Sequence, residues 1–240
     1  MKMNTYSDFV AHLTIQLRHL FDDKLLNVFQ LGSLSHGGFS ERFSDIDIAV
    51  VLSEPATNDV IADVKQQILN LEPNTLAKRV SLFWTVPDFS WGRLRPVDQL
   101  DFLDNRQCLW GEPLQNLPPR PSLDLVRSDM LEHSLPYWSS RTQYFAQNLP
   151  NDEKEFKEFV RCLLYPARLI FTWQLGKLGS NDEAVEYFAQ VAPTALRRDM
   201  VEDALRCRKA EIDDELLFQY QAFLIAQHEA TLAFLKLEKK

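Results

Sequence analysis

At 240 residues, with 45% hydrophobic and 25% charged, the chain is long enough to bury one large core or two modest ones. Its formal net charge of −8 and lack of any basic stripe argue against a long nucleic acid as partner, because polyanion binding rests on lysine and arginine neutralising phosphates. The acidic balance suits a cationic small molecule, and it equally serves the solubility of an ordinary cytosolic protein.

In chain order, Phe9, Val10, Leu13, Leu17, Leu20 and Phe21 recur at helical spacing, with Thr5 or Ser7 available as a cap. Residues 25–31 form a short apolar run ending in Gly32-Ser33, which reads as a buried strand entering a tight turn. A polar, glycine-bearing loop over 33–44 follows, and then a second strand over 45–52. A helix is expected over 58–71, apolar at Val60, Ile61, Val64, Ile68 and Leu71, and a third strand over 79–86, which Pro87 and Asp88 end. Residues 87–121 carry little pattern beyond a short strand around 107–110. The prolines Pro113, Pro118, Pro119 and Pro121 then mark a domain boundary. Beyond it the period is helical and glycine almost vanishes. Helices are expected over 122–147, 153–175, 181–190, 196–209 and 212–236. The expectation is a two-domain chain: a mixed β-sheet with helices over 1–118 and an all-α helical bundle over 119–240.

Met1 to Asp8 lacks the apolar core of a signal peptide, and no run approaches the roughly 20 apolar residues of a membrane span. A cytoplasmic setting with no membrane partner is therefore expected. Cys108, Cys162 and Cys207 are too far apart for a metal cluster, and each lies in an apolar stretch, so all three are expected to be buried.

The chemistry concentrates in the first domain. Alternate side chains on a strand share a face, which puts Asp45 and Asp47 together, about 7 Å apart along the chain. Two carboxylates facing one way from an otherwise apolar strand call for a cation. Oxygen ligands select a hard ion such as Mg²⁺, which completes its shell with water and substrate phosphates. Gly32 and Ser33, with Gly37 and Gly38 close behind, let backbone approach a ligand and offer donors to a phosphate.

The set Gly32-Ser33-Leu34-Ser35-His36-Gly37 with Ser44-Asp45-Ile46-Asp47-Ile48-Ala49-Val50 resembles the signature of the polymerase-β-like nucleotidyltransferase superfamily. The resemblance implies two Mg²⁺ ions held by Asp45 and Asp47 as catalytic and metal residues. It also implies a nucleoside triphosphate, ATP first, whose β- and γ-phosphates are held by Gly32 and Ser33. The stretch from Arg168 to Ala184 is similar to the helical domain of the aminoglycoside adenylyltransferases that act on streptomycin and spectinomycin. That likeness implies transfer of AMP to a hydroxyl of a small cationic acceptor, with Trp173 and Asp182 on the substrate side. On the residues alone, Trp173 also reads as a core aromatic and Asp182 as an acidic first-turn residue. Asp213, Asp214 and Glu215 read as a solvated helix start.

Two departures from the pattern stand out. The third carboxylate, the acceptor's general base, belongs on the third strand, where alignment places Ser81, whose neutral hydroxyl lacks the proton affinity. Asp88, Asp98 and Asp101 lie downstream of that strand. In addition, Asn181 replaces a lysine of the helical-domain pattern. Both departures leave open a catalytically weakened or regulatory nucleotide-binding protein. A toxin–antitoxin component is a third reading, from the Arg-x₅-His spacing of Arg127 and His133. His36, within the glycine-bearing loop, receives no role.

Overall fold

A computed structural model describes residues 6–236. The chain divides into two compact units: residues 1–39 with Ser44–Arg120, and Ser40–Phe43 with Pro121–Lys240.

The first unit is built on a four-stranded sheet, β1 Leu25–Gln30, β2 Ile46–Leu52, β3 Val80–Thr85 and β4 Gln107–Gly111, in the order β3-β2-β1-β4. β1 runs antiparallel to both β2 and β4, while β2 and β3 are parallel. β2 is central and covered on both faces, which is why its sequence is almost continuously apolar rather than alternating. One face packs Ile46, Ile48 and Val50 against helices α1 Tyr6–Phe21 and α3 Asn58–Leu69, through Phe9, Leu13, Leu17, Ile61, Val64 and Ile68. The opposite face carries Phe29, Leu31, Ala49 and Val51 and packs on Leu94 and Phe102. Each large side chain taken from water there contributes about 1.5–3 kcal/mol. The loop after β1 opens with a single turn, α2 Ser33–His36, and α4 Asn74–Ala77 precedes β3.

Phe102 lies on α5 Pro96–Asn105, a helix within the segment that carries little sequence pattern. Pro96 occupies its first turn, where the missing N–H costs nothing, and Asp98 reaches back to the Arg95 N–H in a capping box. At the front of α1, Ser7 falls inside the helix rather than before it, and Thr5 lies outside the described residues.

The second unit is helical: α6 Leu123–Asp129, α7 Leu135–Gln147, α8 Glu153–Leu175, α9 Asn181–Val191, α10 Arg198–Arg208, α11 Glu215–Phe218 and α12 Leu224–Phe234. α8 is its axis, burying Phe159, Val160, Leu163, Ala167 and Ile170. Asp152 caps its start, and Gly176 closes its end in the left-handed conformation. Two expected helices are interrupted. The span 122–147 contains a π-helical turn at Met130–Ser134, ahead of Pro136, which has no N–H to return to the preceding turn. The span 212–236 breaks between α11 and α12, where the Tyr220 hydroxyl donates to Asp203 at 2.7 Å and Gln221 Nε2 to the Phe145 carbonyl at 3.0 Å.

The cysteine expectation holds for two residues and fails for one. Cys162 and Cys207 are buried, but Cys108, on the edge strand β4, is exposed.

Candidate functional site

The pairing of β1 with β2 brings the two motifs together. Leu31 N–H donates to the Asp47 carbonyl at 2.9 Å, which extends the ladder to the mouth of the turn. Gly32 then adopts φ 64°, ψ −154°, a backbone region that only glycine occupies without strain. The reason is on the neighbouring strand: a Cβ at position 32 would lie 2.1 Å from Asp47 Oδ2. Glycine is thus required twice over, once by its dihedrals and once by the Asp47 carboxylate.

Asp47 is half-buried among Ile46, Ile48 and Ala49, which are fully buried. Asp45, also half-buried, stands one residue before β2. Its predecessor Ser44 is fixed through its carbonyl, which accepts from Arg79 Nε at 3.0 Å, while Arg79 Nη1 donates to the Tyr6 hydroxyl at 2.7 Å. The Ile46 N–H also donates to the Arg79 carbonyl. Arg79 therefore sets where β2 begins relative to β3, a role the sequence pattern does not signal.

The turn itself is tied to α5. The Gly32 N–H donates to Asp101 Oδ2 at 2.7 Å, Ser35 Oγ donates to the Asn105 carbonyl, and Asn105 Nδ2 donates to Asp101 Oδ1 at 2.9 Å. In this conformation the Gly32 N–H is taken up by Asp101, while Ser33 is half-buried at the start of α2.

Ser81 is the Cα partner of Asp47 across the parallel β2–β3 pair, half-buried on the strand next to the carboxylate. Of the three downstream aspartates, Asp88 accepts from the Ser90 N–H and hydroxyl, bonds that hold its carboxyl below the usual range. Asp98 caps α5, and Asp101 holds Gly32. Among the described residues no group of three or more His, Cys, Asp or Glu side chains gathers as a metal cluster. Asp45 and Asp47 are a pair of hard oxygen donors, which fits Mg²⁺, an ion that commonly takes one or two carboxylates and leaves the rest of its shell to water and phosphate.

In the helical unit, Trp173 lies near the end of α8, half-buried. The Arg127 guanidinium sits 5.3 Å from its ring centroid, and Arg127 Nε donates to its carbonyl at 3.0 Å. Asp182, in the first turn of α9, is ion-paired with Lys209. Ser180 and Glu183 form the capping box that starts this helix. Arg127 thus has a packing role, and His133 contacts the Asp129 carboxylate one helical turn back, at 3.2 Å. Asp214 is no mere solvated helix start: with Glu153 it grips Arg42 from both sides, Arg42 Nη1 meeting Asp214 Oδ1 at 2.7 Å and Nη2 meeting Glu153 Oε2 at 2.8 Å. His36 Nδ1 lies 3.0 Å from the Gly37 carbonyl.

No family model matches the sequence, and no curated protein matches it. Among solved structures, the chain is similar to the spectinomycin adenyltransferase AAD(9) from Enterococcus faecialis, solved with ATP and spectinomycin. The TM-score is 0.65 and the identity 18%, over 95% of this chain and 99% of that one. A mutant of the toxin–antitoxin pair MntA-HpeT matches more distantly, with a TM-score of 0.35 and 21% identity over 54% of this chain and 93% of that one. With its mixed sheet and helical second unit, the chain shares the two-domain fold of that adenyltransferase.

Proposed function

We propose that the protein is a Mg²⁺-dependent nucleotidyltransferase that moves AMP from ATP to a hydroxyl of a small cationic acceptor, with an aminoglycoside as the first class to test. The observation that carries the reading is the packing of Gly32 against the Asp47 carboxylate, which sets a glycine-serine turn beside a half-buried acidic strand. The fold shared with an adenyltransferase supports it. In the reaction the acceptor oxygen joins the α-phosphorus, the α–β bridging bond breaks, and pyrophosphate leaves.

Asp45 and Asp47 would hold the metal, whose chemistry is to neutralise triphosphate charge and orient the reacting oxygens. Gly32 and Ser33 would hold the β- and γ-phosphates, Gly32 by setting the turn that presents Ser33. Residues 1–118 would form the catalytic domain and 119–240 the substrate domain, with Trp173 and Asp182 facing the acceptor. The pairing of Asp182 with Lys209 means that a cationic acceptor would have to compete with the lysine for that carboxylate.

The test is incubation of the protein with labelled nucleoside triphosphates, Mg²⁺ and a panel of aminoglycosides. Labelled product is expected with ATP, and its persistence in Asp45→Ala/Asp47→Ala would sink the site assignment. A second reading rests on Ser81, the strand partner of Asp47. Without a carboxylate there, the protein would bind nucleotide and turn it over slowly or not at all. Calorimetric binding of ATP and Mg²⁺ with no product from any acceptor would favour that reading.

A further inference from the structure

Asp101 is a buried carboxylate, 9% exposed, that metal binding and phosphoryl transfer leave without a task. Its two oxygens are both used: Oδ2 accepts from the Gly32 N–H at 2.7 Å and Oδ1 from Asn105 Nδ2 at 2.9 Å. One turn further along α5, the Asn105 carbonyl accepts from Ser35 Oγ. The C-terminal half of α5 therefore grips the turn after β1 at two points three residues apart. It reaches the turn on the sheet face whose core includes Leu31 and Phe102.

Gly32 needs such a grip. Its dihedrals lie where glycine is permitted but not compelled to stay, so the conformation must be held from outside. A charged acceptor on a partly buried N–H is among the stronger hydrogen bonds available for this. On the other side of Gly32 stands Asp47 Oδ2, close enough to exclude any Cβ. The turn is thus clasped between a carboxylate on β2 and one on α5.

We infer that Asp101 is a positioning residue: from α5 it fixes the Gly32-Ser33 turn against Asp47, so that the triphosphate meets a preformed turn beside the acidic strand. This rests on the nucleotidyltransferase reading above. Asp101 acts through Gly32 and does not itself touch the substrate. Asn105 serves it by donating to the other carboxylate oxygen, which fixes the plane of the carboxylate against the turn.

The test compares Asp101→Ala with the polarity swap Asp101→Asn/Asn105→Asp. In the swap, the amide oxygen introduced at position 101 can still accept from Gly32, and the amide NH₂ beside it donates to the new carboxylate at position 105. Two readouts are taken: amide hydrogen exchange of residues 31–37 in the free protein, and calorimetric affinity for ATP with Mg²⁺. Asp101→Ala is expected to speed exchange across 31–37 and to weaken ATP binding by about tenfold, the loss of one charge-assisted hydrogen bond. The swap returns both toward wild type, and it also answers for the case in which Asp101→Ala fails to fold. Unchanged exchange at 31–37 in Asp101→Ala overturns the inference, and so does faster exchange with unchanged ATP affinity. Wild-type protein that binds no ATP at all overturns the nucleotidyltransferase reading instead; exchange at 31–37 then still decides whether Asp101 holds the turn.

Discussion

Gly32 stands so close to Asp47 that a single methyl group at position 32 would overlap the carboxylate, at 2.1 Å from Oδ2. Gly32→Ala is therefore expected to lose ATP binding and to lower stability by about 1–3 kcal/mol, from the forced backbone and the displaced carboxylate together. Thermal unfolding and calorimetry check both. A variant with wild-type melting and wild-type ATP affinity would mean that the turn is looser than its geometry implies.

In the helical unit, Arg42 is held by Glu153 and Asp214, and these bonds push its own pKa further up while keeping the Asp214 carboxyl below the usual carboxylate range. A carboxyl whose folded pKa is depressed adds stability above its unfolded value of about 4, and that stability is lost as the pH falls through the folded value. Arg42 and Asp214 are each more than a third exposed, so solvent screens the pair to about 1 kcal/mol or less. Arg42→Ala is expected to melt a few degrees lower at about pH 7, with the gap narrowing as the pH falls below about 4. A gap that does not narrow would assign the loss to packing of the guanidinium over the Phe43 and Phe156 rings instead.

Cys108, Cys162 and Cys207 are expected to separate sharply towards a thiol reagent. Cys108 is exposed on the edge strand, whereas burial pushes the Cys162 and Cys207 thiols up to about 12, the last aided by the nearby Asp214 carboxylate. Since the thiolate is the nucleophile, dithionitrobenzoate is expected to titrate one thiol rapidly in the folded protein and the other two only after denaturation. Three thiols reacting at one rate would contradict the burial of the helical core.

These contrasts also explain what could be read in the sequence. β2 and α8 were legible because a central strand and an axial helix bury long apolar sets in a fixed period. The pairing of Gly32 with Asp47 was foreshadowed by two motifs at the ends of neighbouring strands. α5 was not, since it lies within the span 87–121, which carries little pattern. Asp101 could be seen only as one of three downstream acids. Its partner is a backbone N–H 69 residues upstream, and no local pattern encodes that contact. Arg42 is hidden for the same reason, with partners 111 and 172 residues away. Cys108 misled because an apolar stretch on an edge strand need not be covered.

Ser81 gives the sharpest chemical test. In parallel register with Asp47 it shares the face of the sheet that bears the carboxylate, so a carboxylate at 81 would stand beside the one at 47. Without metal the two negative charges repel, and Ser81→Asp is expected to melt below wild type. Adding Mg²⁺ with ATP supplies the missing positive charge and is expected to raise its melting temperature by more than that of wild type. If the serine is what limits turnover, the new base should raise the rate of AMP transfer, since a positioned general base contributes about 10²–10⁴-fold. A folded Ser81→Asp protein with lower turnover than wild type would show that the native serine is compatible with a base held elsewhere. An unchanged rate with intact ATP binding would place the limit at the acceptor rather than at its deprotonation.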